Sequence, residues 1–229
     1  MFERPHHQRI AKLLLALDGP FFARSECYFG GGTAIALLLG EYRESVDVDF
    51  LCASTEGYRA LRAAVFERGL EGLVRSPVKA LRSLRTDQYG IRTFIEVDGV
   101  PVKLEIVREA RIQISGGDAA ELGVSVLSRE DLFAEKLLAN ADRSGDRATF
   151  SRDAIDLGMM IAHWGQIPPK AWDKARGAYG QTVDAALGAA VRRLQEPGWL
   201  KTCVDAMHMV EADGERVLAA LVSAAPSSP

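Results

Sequence analysis

Residues 30–50 read Gly30-Gly31-Gly32-Thr33-Ala34-Ile35-Ala36-Leu37-Leu38-Leu39-Gly40-Glu41-Tyr42-Arg43-Glu44-Ser45-Val46-Asp47-Val48-Asp49-Phe50. The run from Ala34 to Leu39 is apolar on every side, which is the pattern of a buried helix, and Gly40 stops it. From Val46 to Cys52 the chain reads as a strand. Successive strand residues point to opposite faces, so Asp47 and Asp49 project together while Val46, Val48 and Phe50 face the core. Two neighbouring carboxylates on a largely buried strand are costly unless a cation compensates them. The pair therefore reads as a divalent metal site of the kind magnesium prefers, in which one or two carboxylates are completed by substrate phosphates. Ahead of it, Gly30, Gly31 and Gly32 lack Cβ atoms and let backbone N–H groups approach an anion, and a helix starting at Thr33 adds its positive dipole end.

Outward from this stretch, Ile10 to Leu17 has helical spacing and ends at Gly19-Pro20, and Cys27-Tyr28-Phe29 is a short strand leading into the glycines. Glu56 to Arg68 is an amphipathic helix. Gly90 to Val97 and Val100 to Val107 flank Asp98-Gly99, whose residues both tolerate positive φ, so the two strands form an antiparallel hairpin. One more strand is expected at Gly123 to Leu127. Thereafter the pattern is helical throughout: Ser128-Arg129-Glu130-Asp131 reads as a helix N-cap with acids in the first turn, Leu132 to Ala141 follows, and five further helices lie between Ser151 and Ala224. Trp164, Trp172 and Trp199 are expected as core anchors of that half. The fold class is thus α+β, a mixed β-sheet with helices over 1–127, followed by an all-helical domain at 128–225 packed against it, with a disordered tail at 226–229.

Composition narrows the classes of function. The 229 residues are 48% hydrophobic and 26% charged, enough to fill a core, and 28 basic against 31 acidic residues give a net charge of −3. That balance speaks against a protein that coats nucleic acid through bulk charge. Cys27, Cys52 and Cys203 are too few and scattered for a disulfide framework, and no CxxC pair suggests zinc. With no leader-like start and no long uncharged apolar stretch, a cytoplasmic protein without a membrane segment is expected. His6, His7, His163 and His208 show no metal-binding spacing, and no catalytic role is read for them.

Gly31-Gly32-Thr33 followed by Arg43-Glu44-Ser45-Val46-Asp47-Val48-Asp49-Phe50 resembles the nucleotidyltransferase signature as written in the AbiEii/AbiGii toxin family. Ala134-Glu135-Lys136-Leu137-Leu138 and Arg152-Asp153-Ala154-Ile155-Asp156-Leu157 are similar to that family's lysine and aspartate motifs. The resemblance spans Gly31 to Leu157 and implies a nucleotidyltransferase-like fold, an NTP substrate with Mg²⁺, and often the toxin role in a bacterial toxin and antitoxin pair. Carried over residue by residue, it implies that Asp47 and Asp49 hold Mg²⁺. Gly31, Gly32 and Thr33 would hold the β- and γ-phosphates. Lys136 would neutralise charge on the triphosphate, and Asp153 would orient that lysine or the acceptor. Arg43 and Ser45 match the family's Arg-x-Ser. Arg43 is read either as a phosphate ligand or as a residue of a solvated loop.

The wider fold often adds a third carboxylate. Glu105, between Leu104 and Ile106, is the candidate metal ligand, with Lys103 on the same face as its alternative ion-pair partner and Glu96 as the rival carboxylate. Arg75, Lys79, Arg82, Arg85 and Arg92 form a basic run against the single acid Asp87, which suits a polyanionic acceptor such as tRNA or reads as a solvated face. The expected activity is Mg²⁺-dependent transfer of an NMP from an NTP to an acceptor hydroxyl, RNA included, by a toxin with a cognate antitoxin. The alternatives are transfer to a small molecule such as an aminoglycoside, and a non-catalytic nucleotide-binding or interaction module on the same fold.

Overall fold

The computed structural model describes residues 2–224, so the expected tail at 226–229 lies outside the described residues. The chain divides into two compact units. The first comprises Met1–Leu37 with Ser45–Ser128 and the second Leu38–Glu44 with Arg129–Pro229.

The first unit is built on one mixed sheet. Its strands are β1 (Cys27–Gly30), β2 (Asp47–Cys52), β3 (Lys79–Ala80), β4 (Arg85–Thr86), β5 (Gly90–Val97), β6 (Val100–Arg108), β7 (Gly116–Ala119) and β8 (Val124–Leu127). They lie in the order β3-β5-β6-β2-β1-β8-β7, with β4 also pairing β5. The β5–β6 hairpin forms around Asp98 and Gly99, whose φ angles of 51° and 77° suit the primed turns that match strand twist. Three short strands carry little hydrophobic alternation in sequence: β3 and β4 are exposed two-residue pieces held on β5 by backbone pairing, and β7 is a glycine-led edge on β8.

Alternation on β2, β5 and β6 splits the sheet into two faces. Val48, Phe50, Leu104, Ile106, Ile91 and Ile95 are buried on one face, against which α1 (Pro5–Ala16), α2 (Gly19–Arg24) and α4 (Thr55–Arg68) contribute Leu13, Phe22 and Leu61. Phe29 and Phe50 are cross-strand partners with ring centroids 5.6 Å apart, and Phe22 lies 4.7 Å from Phe50. Burial of such aromatic pairs contributes roughly 0.5–1.5 kcal/mol beyond the area they cover. The opposite face is half-buried and polar. Helix α3 (Gly31–Leu38) begins at Gly31, two residues before the expected Thr33, so the glycines supply its first turn. Val46 does not turn into the core: β2 starts at Asp47, and Val46 is 45% exposed.

The second unit comprises α5 (Arg129–Arg143), α6 (Arg152–Trp164), α7 (Pro169–Tyr179), α8 (Thr182–Leu194), α9 (Trp199–Ala206) and α10 (Glu211–Ala224). Helix α5 packs on α6, α7 and α8, and α6 packs on α10. Gly158 makes the α6–α10 approach close, because a Cβ there would stand 2.6 Å from Val217. The three tryptophans are half-buried instead of serving as deep core anchors. Arginines lie over all three rings, Arg129 on Trp164, Arg176 on Trp172 and Arg147 on Trp199, at 4.7–5.0 Å.

Candidate active site

In the first unit the polar sheet face gathers the acidic residues. Parallel pairing of β2 with β6 sets Asp47 opposite Lys103 and Asp49 opposite Glu105, and β5 adds Arg92 opposite Glu105. Side chains in register share a face, so Asp47, Asp49, Lys103, Glu105 and Arg92 lie together. Gly30 is the partner of Asp49 on β1, which brings the start of α3 to the same place. Gly31 has φ +69°, and a Cβ there would stand 2.8 Å from Asp49 Oδ2. Glycine is required at that position twice over, by the left-handed backbone and by the carboxylate beside it.

Glu105 bridges two cations: Arg92 Nε donates to Oε1 at 2.6 Å and Lys103 Nζ to Oε2 at 2.7 Å. Burial works against ionisation of Glu105, but those two bonds overcome it and hold its pKa below the ordinary carboxylate value. Lys103 is likewise opposed by burial and raised by its bond to Glu105, with the fields of Asp47 and Asp49 adding to the effect. Glu96, the rival carboxylate, pairs with Lys79 at 3.0 Å. Among the described residues no group of three acidic, histidine or cysteine side chains is arranged to hold a metal ion. The Asp47 and Asp49 carboxylates on this face offer hard oxygen ligands. They fit a small divalent cation that takes its remaining ligands from phosphate and water.

Thr33 and Ser45 hold the strand. The Thr33 hydroxyl, 1% exposed as a residue, donates to the carbonyl of Asp47 at 2.5 Å. Having given its one proton, it can only accept from the Ser45 hydroxyl 2.8 Å away. Gly32 lies in the first turn of α3, where backbone N–H groups have no partner within the helix.

In the second unit Arg43, Lys136 and Asp153 meet in one buried network whose hub is Asp156. Arg43 forks onto Asp156, Nε to Oδ1 at 2.6 Å and Nη2 to Oδ2 at 3.0 Å, and its Nη1 donates to the Glu44 carbonyl. Tyr42 donates to Oδ1 at 2.5 Å, and Lys136 Nζ lies 2.7 Å from Oδ2. Lys136 also reaches Asp153 at 3.0 Å, and Arg143 closes on Asp153 with two bonds. Burial opposes the charge on Asp156, but Arg43 and Lys136 outweigh it and hold its pKa far below the ordinary value. Asp153 is depressed in the same way by Lys136 and Arg143, whereas Lys136 is raised by Asp156 and Asp153 against its burial. Within the Arg152–Leu157 motif the resemblance gives a role to Asp153 and none to Asp156, and Tyr42 belongs to no motif. Asp156 follows Asp153 by one helical turn, which puts both carboxylates on one face, and that spacing was the available signal.

Solved structures similar to this one include the following three. JHP933 from Helicobacter pylori matches with a TM-score of 0.55 at 16% identity, over 97% of this chain and 91% of that one. A putative nucleotidyltransferase from H. pylori gives 0.53 at 14% identity, covering 94% and 90% of the two chains. An antigenic nucleotidyltransferase-like protein from Paracoccidioides brasiliensis gives 0.51 at 17%, covering 90% and 95%. The fold is therefore nucleotidyltransferase-like. A family model described as nucleotidyl transferase AbiEii toxin, type IV TA system, matches residues 13–221, and the chain belongs to that family. No curated protein matches the sequence. Among the described residues no helix is long and apolar enough to cross a membrane.

Proposed function

We propose that this chain transfers a nucleoside monophosphate from an NTP to a hydroxyl of an RNA acceptor, as the toxin of a toxin and antitoxin pair. The observation that carries this reading is the placement of Asp47 and Asp49 on one sheet face against Gly31, at the start of α3. Asp47 and Asp49 would hold the divalent cation, which supplies charge neutralisation at the phosphates and polarises the phosphoryl group under attack. The backbone N–H groups of the first turn of α3 suit the triphosphate. The acceptor oxygen forms the new bond to the α-phosphorus as the bond to pyrophosphate breaks in line, and the hydroxyl proton is released.

An RNA acceptor is supported by the edge of the same sheet. Arg85, Arg92, Glu105 and Asp49 stand in register across β4, β5, β6 and β2, so a row of side chains leads from the acidic pair to a basic edge. On the α4 side of that edge a groove of about 650 Å³ is lined by Arg59, Arg62, Phe66, Leu84 and Thr86, with Phe66 92% exposed. A projecting aromatic ring among arginines offers a stacking surface and phosphate contacts to single-stranded nucleic acid. A cognate antitoxin and a cytoplasmic setting follow as proposals from family membership.

Incubation with each α-labelled NTP, total RNA and Mg²⁺ tests the reading. Label should appear in RNA with wild-type protein and be lost in Asp47→Ala and Asp49→Ala. Transfer that survives both substitutions overturns it. The engagement of Glu105 by Arg92 and Lys103 favours a second reading, nucleotide binding without turnover. Calorimetric NTP binding with no labelled product from any acceptor pool would select that one.

A further inference from the structure

Three side chains grip the backbone just ahead of the acidic pair. His7, on α1 and fully buried, lies with Nε2 3.2 Å from the backbone nitrogen of Ser45. Its neighbour His6 sets Nε2 3.1 Å from the carbonyl oxygen of Val46. Thr33 donates to the next carbonyl, that of Asp47. A backbone N–H can only donate, so His7 Nε2 accepts and the ring is the neutral Nδ1–H tautomer, whereas a carbonyl can only accept, so His6 presents Nε2–H. Two consecutive helix residues thus offer an acceptor and a donor to two consecutive residues of the strand approach, the service a neighbouring strand would ordinarily perform.

That service is needed here. The β2–β6 ladder begins at Asp47 and the β1–β2 ladder ends at Asp49, so Ser45 and Val46 lie outside both, and Asp47 is paired on one side only. Val46 is 45% exposed and gives no core anchor. Because side chains alternate along a strand, a slip at this end would turn Asp47 to the other face and separate it from Asp49.

We propose that His7 is a positioning residue, seconded by His6, which fixes the backbone at Ser45 and Val46 so that the Asp47 carboxylate stays on the same face as Asp49. This rests on the reading that Asp47 and Asp49 hold a divalent cation. The test uses the full chain with Mn²⁺ as the probe and two substitutions: His7→Leu, which keeps bulk and deletes the acceptor, and His7→Gln, whose amide oxygen restores one. His7→Leu should weaken Mn²⁺ binding about ten-fold in calorimetry, and His7→Gln should return it to within about two-fold of wild type. Hydrogen exchange at residues 45–49, measured without metal, should quicken about ten-fold in His7→Leu and recover in His7→Gln.

Wild-type affinity and exchange in His7→Leu, or equal impairment in both variants, overturns the proposal. Should His7→Leu fail to fold, His6→Ala on the less buried partner serves, with binding weakened about three-fold expected and no change overturning the proposal. A wild-type protein that binds Mn²⁺ no better than Asp47→Asn overturns the cation reading itself, while the metal-free exchange comparison still decides whether His7 holds the strand.

Discussion

The carboxylate of Asp49 occupies the space that a side chain on Gly31 would need, with Oδ2 2.8 Å and Cβ 3.1 Å from where that Cβ would stand. Two pieces of chain are thereby made interdependent: the turn that opens α3 can adopt φ +69° beside β2 only because it carries no side chain. Gly31→Ala should cost about 1–2 kcal/mol for the left-handed backbone alone. It should also displace the Asp49 carboxylate and lower Mn²⁺ affinity in calorimetry. Gly99→Ala is the control: Gly99 has φ +77° with open space around it, so it should lose similar stability and leave Mn²⁺ binding unchanged.

The buried network of the second unit has three cations, Arg43, Lys136 and Arg143, for two carboxylates, Asp153 and Asp156. Asp156→Asn strips Arg43 and Lys136 of their shared partner, and loss of one member of a buried ion pair costs about 3–5 kcal/mol. Lys136→Met leaves each carboxylate with an arginine, so it should cost clearly less. Urea denaturation of the two variants checks this order. Equal losses would show that the charge balance of the network does not set its stability.

Acid should weaken the same network. The Asp156 and Asp153 carboxylates are opposed by burial and held below the ordinary range by Arg43, Lys136 and Arg143. Their contribution is complete above the unfolded value of about 3.9 and is lost as pH falls through the lower folded values. Lys136 has a raised pKa, so its part persists below about 10.4 and fades as pH rises beyond its folded value. Urea midpoints should hold steady near neutrality and fall below about pH 4. The acid fall should be shallower in Lys136→Met, which has lost one of the cations that depress the two carboxylates.

The basic edge should reveal itself through salt. With a labelled single-stranded RNA followed by fluorescence anisotropy, Arg59→Ala, Arg62→Ala and Arg85→Ala should each reduce the slope of log affinity against log salt by about 0.7. Phe66→Ala should lower affinity by about 1–3 kcal/mol with the slope unchanged, since stacking releases no counterions. Unaltered binding in all four variants would remove the groove from any acceptor path.

Much of the site was legible along the chain because local rules govern it. The alternation of Asp47 and Asp49 with Val48 and Phe50 sets their common face, and Asp98-Gly99 sets the hairpin that carries Glu105. The short strands β3, β4 and β7 were not legible, since β3 and β4 are too short and β7 too polar to alternate and all three depend on a longer neighbour for pairing. His6 and His7 showed no motif, because their role lies in backbone groups some 40 residues away.

By itself, then, the sequence determined the chemical inventory: a glycine turn before a buried helix, two carboxylates on one strand face, and a lysine and aspartates at helical spacing. Only the tertiary structure decided which charge answers which. Glu105 faces Arg92 and Lys103, and Arg43 closes on an aspartate 113 positions later. The reason is physical. Helical and strand periodicity act over a few residues and are written in the order of the chain, whereas a buried ion pair forms between whatever cation and carboxylate packing excludes from water together.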